Sequence, residues 1–232
     1  MKVTDLKAIQ DVAIAFLYQD IEETQFSPVV VIHPIFESGI VYFPRSRSMV
    51  NILEDKDGLS EIMEYYRNRI IKADGISSIY MLIRDSYKLT FFKFISQYLS
   101  PRDYAEYLAD AWTISENPNQ DVNVSLSQAA KLFKNADKKY LMTAKEYKVY
   151  NDLPDTFTVY RGVAVRRNPN GMSWTRNKST AEWFSERFNL ENERGYVQVA
   201  VAHKKDVLAY FNSRNEDEIV ISTNSLEDIH VL

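Results

Sequence analysis

Apolar side chains recur near the start of the chain at Leu6, Ile9, Ala13, Phe16 and Leu17. That three-to-four-residue spacing puts them on one face of a helix. After Pro28 come two β-branched runs, Val29 to Ile32 and Ile40 to Phe43, separated by Glu37, Ser38 and Gly39; together they read as a hairpin. Residues 48–73 return to helical spacing, with a break expected at Asp57 and Gly58. The aromatic and β-branched stretch from Ile79 to Phe94 fits strand and helix equally. Ser100 stands where an N-cap belongs and Pro101 at the first helical position, predicting a helix to about Ser115. Two further helices are expected, one opened by Ser125 and one over 138–151, with residues 118–121 as loop.

From Thr156 the pattern changes. Thr156 to Tyr160 is a β-branched and aromatic run ending at Arg161 and Gly162. Short strands are expected at Met172–Thr175, Tyr196–Ala202, Asp206–Phe211 and Glu218–Ser222, with one helix over 180–189. Helices first and strands later imply an α+β chain whose N-terminal part is helical.

Composition narrows the chemistry. The 232 residues contain no Cys, which removes disulfides, zinc–cysteine sites, iron–sulfur clusters and thiol nucleophiles. His33, His203 and His230 are scattered without metal-ligand spacing, so no metal is expected. No apolar run approaches the roughly 20 residues of a membrane span, and the N-terminus lacks the apolar stretch of a secretory signal. A cytoplasmic protein without membrane contact is expected. There is no Gly-x-Gly-x-x-Gly, so dinucleotide binding of the Rossmann kind is excluded.

Three features could carry chemistry. Glu216 and Glu218 stand two apart at the lead-in to Ile219–Ile221, and on a strand they would share a face. Adjacent carboxylates suit a reaction through a sugar oxocarbenium ion, one stabilising the sugar and the other handling an acceptor's proton. The same pair also fits charges on a solvated strand entry. Arg161 closes an apolar strand, where a guanidinium suits a diphosphate, and Gly162 allows close backbone approach; a surface arginine beside a turn is the alternative. Ser179 and Glu182 fit a capping box. On the helix it opens, Phe184 and Arg187 are neighbours that could stack a flat ring and hold its phosphate, although Phe184 and Phe188 also fit a core.

In this order, Arg161, then Ser173-Trp174-Thr175 12 residues on, then Glu216-Asp217-Glu218 with Glu218 45 residues past Ser173, the chain resembles the mono-ADP-ribosyltransferases of the Arg–Ser–Glu class. Leu153-Pro154, Val159 to Gly162 and Ala181 to Phe184 resemble the bacterial and phage toxin-like branch. Trp112 to Asn119, Asp121 and Tyr140 to Met142 resemble leader helices of that branch. The resemblance covers roughly residues 100–232 and implies a split, mostly antiparallel β-sandwich. It divides the chain into an N-terminal region 1–95 of unassigned role and a transferase domain 96–232, with leader helices over 100–151 and a β core over 156–232.

By position, the resemblance implies that Arg161 holds the phosphates of NAD and that the Gly162 backbone meets the nicotinamide amide. Ser173 would position the catalytic glutamate and the nicotinamide ribose, with Thr175 as buttress. Phe184 would stack on nicotinamide and Arg187 reach a phosphate. Glu218 would bind the ribose 2′-hydroxyl and stabilise the oxocarbenium-like state, and Glu216 would orient or deprotonate the nucleophile. The family's usual Ser-Thr-Ser is Ser-Trp-Thr here, which keeps the polar face.

The expected activity is transfer of ADP-ribose from NAD to a macromolecular acceptor, protein arginine slightly ahead of a nucleic-acid base. Between Lys131 and Lys178 stand 11 basic and 4 acidic residues, leaving −11 for the rest of a chain of net −4. Such a basic zone could attract RNA or DNA. NAD glycohydrolysis and a catalytically silent binding module are the other readings, and a neutralising antitoxin or inhibitor protein is a conceivable partner.

Overall fold

The computed structural model describes residues 2–25 and 27–232. The chain divides into two compact units, one ending at Ser100 and the other running from Pro101 to Leu232.

The first unit opens with α1 (Leu6–Leu17), capped by Asp5, whose carboxylate accepts from the Ala8 N–H at 3.0 Å. Its periodic face, Ile9, Ala13, Phe16 and Leu17, is buried as its spacing requires. β1 (Glu22–Thr24) pairs with β2 (Ser27–Ile32), and β3 (Ile40–Phe43) pairs with β4 (Ser48–Asn51), both antiparallel. The expected hairpin between the second and third of these strands does not form. Val30 instead bridges Ser38 in the connection, with the Gly39 N–H donating to the Val29 carbonyl at 2.6 Å and the Val31 N–H to the Glu37 carbonyl at 3.2 Å. In that register Ile40 would face Pro28, so too little of β2 remains to pair with β3, and each run takes its neighbour in sequence as partner. The connection bends at His33, whose Nδ1 accepts from the Ile35 and Phe36 N–H groups at 3.1 and 3.0 Å. That bend folds Ile35 and Phe36 into the core and satisfies their backbone N–H groups.

Residues 48–51 are therefore strand, a second departure from the expected helix over 48–73. α2 (Lys56–Ile71) starts after Asp55, and the anticipated break is its first turn, with the Gly58 N–H donating to Asp55 at 2.8 Å. The ambiguous stretch resolves as helix: α3 (Ile76–Tyr80), a 3₁₀ turn, then α4 (Lys88–Ile95). Leu89, Phe91, Phe92 and Ile95 are all buried, so burial around most of α4 erased its periodicity.

The second unit begins with α5 (Pro101–Ile114), a 3₁₀ turn over 118–120, and α6 (Leu126–Asn135), whose Ser125 and Gln128 form a capping box. The helix expected over 138–151 is two, α7 (Lys138–Leu141) and α8 (Ala144–Asn151). A second capping box, Thr143 with Glu146, restarts the chain between them. Then follow β5 (Thr156–Val163), β6 (Ser173–Thr175), α9 (Lys178–Glu186), β7 (Tyr196–His203), β8 (Val207–Phe211), β9 (Glu218–Ile221) and β10 (Glu227–Val231). They form one antiparallel sheet in the order β10-β7-β5-β6-β9-β8. Its two halves join at a single residue pair, Tyr160 with Thr175. The helix α9 is capped by Asn177, whose side chain accepts from the Ser179 and Thr180 N–H groups. This corrects the Ser179–Glu182 capping box: Asn177 stands two residues earlier and starts the helix first.

The basic zone over 131–178 is partly consumed by the fold. Lys138 donates to the Val207 carbonyl at 2.9 Å and to the Tyr150 hydroxyl, with its ammonium 4.6 Å from that ring's centroid. Arg176 is held by Asp217. Among the described residues no helix is long and apolar enough to cross a membrane, and no group of three or more His, Cys, Asp or Glu side chains could hold a metal.

Candidate active site

On β5, Val159, Arg161 and Val163 are the buried positions. The period-2 alternation therefore carries a guanidinium inward with its apolar neighbours. Arg161 is 8% exposed. Its Nη1 donates to the Ser173 carbonyl at 2.7 Å and its Nη2 to the Asn168 carbonyl at 2.8 Å. Its Nε is buried with no hydrogen-bond partner among the described residues. Desolvation pulls its pKa down to about 10, against the pull of the Glu218 charge, so it remains a cation at neutral pH. Gly171 makes room for it: a Cβ there would lie 2.1 Å from Nη2. Gly162 serves packing, since a Cβ at that position would fall 2.0 Å from the Ala181 carbonyl of α9.

Ser173 and Thr175 follow on β6. The Ser173 hydroxyl accepts from Asn119 Nδ2 at 3.0 Å, and Asn119 Oδ1 accepts from the Met172 N–H at 2.6 Å. The 3₁₀ turn after α5 is thus tied to the strand that carries the serine. Thr175 donates to the Glu216 carbonyl at 2.8 Å.

Glu218 opens β9 and is paired in register with Thr175 on one side and Phe211 on the other. It is buried, and the Trp112 Nε1–H donates to its Oε1 at 3.0 Å. Burial pushes its pKa up; hydrogen bonds from Trp112 and Ser173 and the charge of Arg214 oppose that, and Glu216 adds to it. Glu216 itself lies outside the strand. The backbone is left-handed at Asn215 (φ 58°) and Asp217 (φ 50°), so the alternation argument that paired the two glutamates does not apply. Asp217 is tied by Arg176 at 2.7 and 3.1 Å and by the Tyr210 hydroxyl at 2.7 Å. The Glu216 carboxylate accepts from Arg214 Nη2 at 2.7 Å.

All eight residues expected in the site, Arg161, Gly162, Ser173, Thr175, Phe184, Arg187, Glu216 and Glu218, line one cleft of about 780 Å³, open solvent at its mouth included. It is concave, with mixed apolar and charged walls, as ligand sites are. Arg187, just past α9, pairs with Glu116 at 3.0 Å. Sequence reasoning placed none of Asn119, Trp112, Glu116, Arg167, Phe188 or Arg214 in the site, giving Trp112 to Asn119 only to leader helices and Phe188 to a core. Trp112 and Asn119 stand 106 and 54 residues from their partners, a separation that leaves no local signal. Arg214 was findable as a cation two residues from Glu216.

Chemically, the cleft offers a buried, hydrogen-bonded carboxylate, a second carboxylate nearer solvent, a serine fixed by an amide, and several guanidiniums. Such a set favours a ligand with a developing positive centre and attached anions. No protein-family model, curated protein or solved structure matches this chain.

Proposed function

We propose that the second unit is an NAD-dependent mono-ADP-ribosyltransferase of the Arg–Ser–Glu class. The observation that carries this reading is the convergence of Arg161, Ser173 and Glu218 on one cleft, locked by Arg161–Ser173 and Trp112–Glu218 hydrogen bonds. The near-division of the sheet at Tyr160–Thr175 supports the split sandwich this class implies. The donor set fits the dinucleotide: Arg187 stands by for an anion that would displace Glu116, and Phe184 supplies a flat face.

When bound, NAD supplies a sugar with a cationic leaving group, so the bond to nicotinamide breaks without a strong base. Glu218 stabilises the charge that develops on the sugar, in a buried position where such stabilisation is strong. Ser173, oriented by Asn119, holds Glu218 and the ribose. Arg161 is a scaffold cation whose hydrogen bonds fix β6 against β5 and whose charge favours the ligand's phosphates. Glu216 takes the acceptor's proton.

The test is release of nicotinamide from labelled NAD by the purified chain. Glu218→Gln keeps the volume and the Trp112 bond but removes the charge. Turnover is expected to fall at least about 100-fold, with NAD affinity measured by calorimetry changed little. Retained turnover overturns the role of Glu218.

A further inference from the structure

Resting on the transferase reading, we propose that the acceptor is single-stranded nucleic acid, gripped at the rim of the cleft by alternating guanidinium and aromatic planes. The Phe188 ring has the Arg167 guanidinium 4.5 Å and the Arg187 guanidinium 4.6 Å from its centroid. Arg187 in turn lies 4.9 Å from the Trp183 ring. Trp183 is 54% exposed and Phe188 42%. Interleaved with arginine at the mouth of the cleft, these exposed rings match the bases and phosphates of an unpaired strand. Arg167 and Phe188 line the same cleft as Glu216 and Glu218.

The charges argue the same way. Among the described residues Arg167 has no ion-pair partner, while Glu116 answers Arg187 and Arg214 answers Glu216. An arginine side chain entering as acceptor would meet a Glu216 already neutralised, beside three more cations. A polyanion meets Arg167 as an uncompensated cation and can take the place of Glu116 on Arg187, and a neutral exocyclic amine needs only a proton acceptor. In the transfer, the bond from ribose C1′ to nicotinamide nitrogen breaks with both electrons leaving on nicotinamide. The amine lone pair forms the new C1′–N bond, and its proton passes to Glu216 and then to water.

The experiment incubates the full chain and labelled NAD with mixed-sequence single-stranded RNA and DNA oligonucleotides, a small arginine analogue, or nuclease-treated lysate protein. Oligonucleotide binding is followed separately by fluorescence anisotropy. Label is expected on an oligonucleotide. Trp183→Ala should weaken oligonucleotide binding about tenfold or more, and Arg167→Gln should lower the salt slope by about one. Nicotinamide release without acceptor is measured in Trp183→Ala alongside, because Trp183 lies outside the cleft lining yet packs on Phe184 and Arg187; the binding loss is expected to exceed any change in it. Nicotinamide release with oligonucleotides unlabelled, label on protein or the arginine analogue alone, or wild-type oligonucleotide binding by both variants overturns the acceptor assignment. No nicotinamide release under any condition overturns the transferase reading instead; oligonucleotide binding sensitive to Trp183 would then still establish the rim as a nucleic-acid site.

Discussion

At Glu218 one indole hydrogen decides how a buried carboxylate behaves. Trp112 is fully buried and its N–H is aimed at Oε1; a donor to the ionised form holds down a pKa that burial pushes up. Trp112→Phe keeps most of the ring volume and removes that donor. The expected result is an acidic limb of the turnover–pH profile moved to higher pH, with kcat lowered and KM for NAD little changed. A hydrogen bond to a charged group is worth about 1.5–3 kcal/mol, so some stability is lost as well. A purely structural tryptophan would lower stability and leave the pH limb in place, and profiles of both proteins separate the cases. This contact was not readable from sequence: Trp112 shows there only as part of the leader-helix resemblance, 106 residues from its partner.

Helix α9 shows how an element sets a site. It carries Phe184 and aims Arg187 just beyond its end, and it lies against β5 where Gly162 lets the Ala181 carbonyl come close. Backbone cannot yield as a long side chain can, so Gly162→Ala should push α9 off the strand. NAD affinity is then expected to fall at least about tenfold, measured by calorimetry, while far-UV dichroism stays near wild type. Gly171→Ala tests the other wall. Its methyl would strike the Arg161 guanidinium and cost one or both buried bonds, about 1–3 kcal/mol each, read as a lower Tm. Elements of this unit were legible where local rules act. The alternation of β5, Pro101 at the start of α5 and the Ser125 cap of α6 all report through neighbours in sequence. That β2 and β3 would not pair was not legible, because it follows from the register of a connection whose bend a histidine ring holds. The Glu216–Glu218 geometry was not either, because it depends on left-handed residues that are not glycine.

Across the whole chain, two buried titratable side chains in different units give opposite responses to acid. His33 in the first unit is 1% exposed and accepts two backbone N–H bonds on Nδ1, which requires the neutral ring with its proton on Nε2, facing the Leu17 carbonyl. Desolvation, helped by the Arg84 charge and opposed by hydrogen bonds to backbone carbonyls, lowers its pKa from 6.5 to about 4. The unfolded chain therefore binds a proton below pH 6.5 that the folded unit refuses. Stability present above that pH is lost as pH falls toward 4, about 3 kcal/mol in all. Glu218 in the second unit has a raised pKa, so its folded form binds the proton more readily and that unit gains stability as pH falls toward the ordinary carboxylate range. Hydrogen exchange at pH 7 and pH 5 should show amides before Ser100 losing protection and those of the sheet from β5 to β9 keeping theirs. His33→Asn, whose side-chain oxygen can accept from the Ile35 and Phe36 N–H groups, should flatten the acid response of the first unit at some cost in packing. Equal loss of protection in both units, or an unaltered acid response in His33→Asn, would show that the histidine does not govern it.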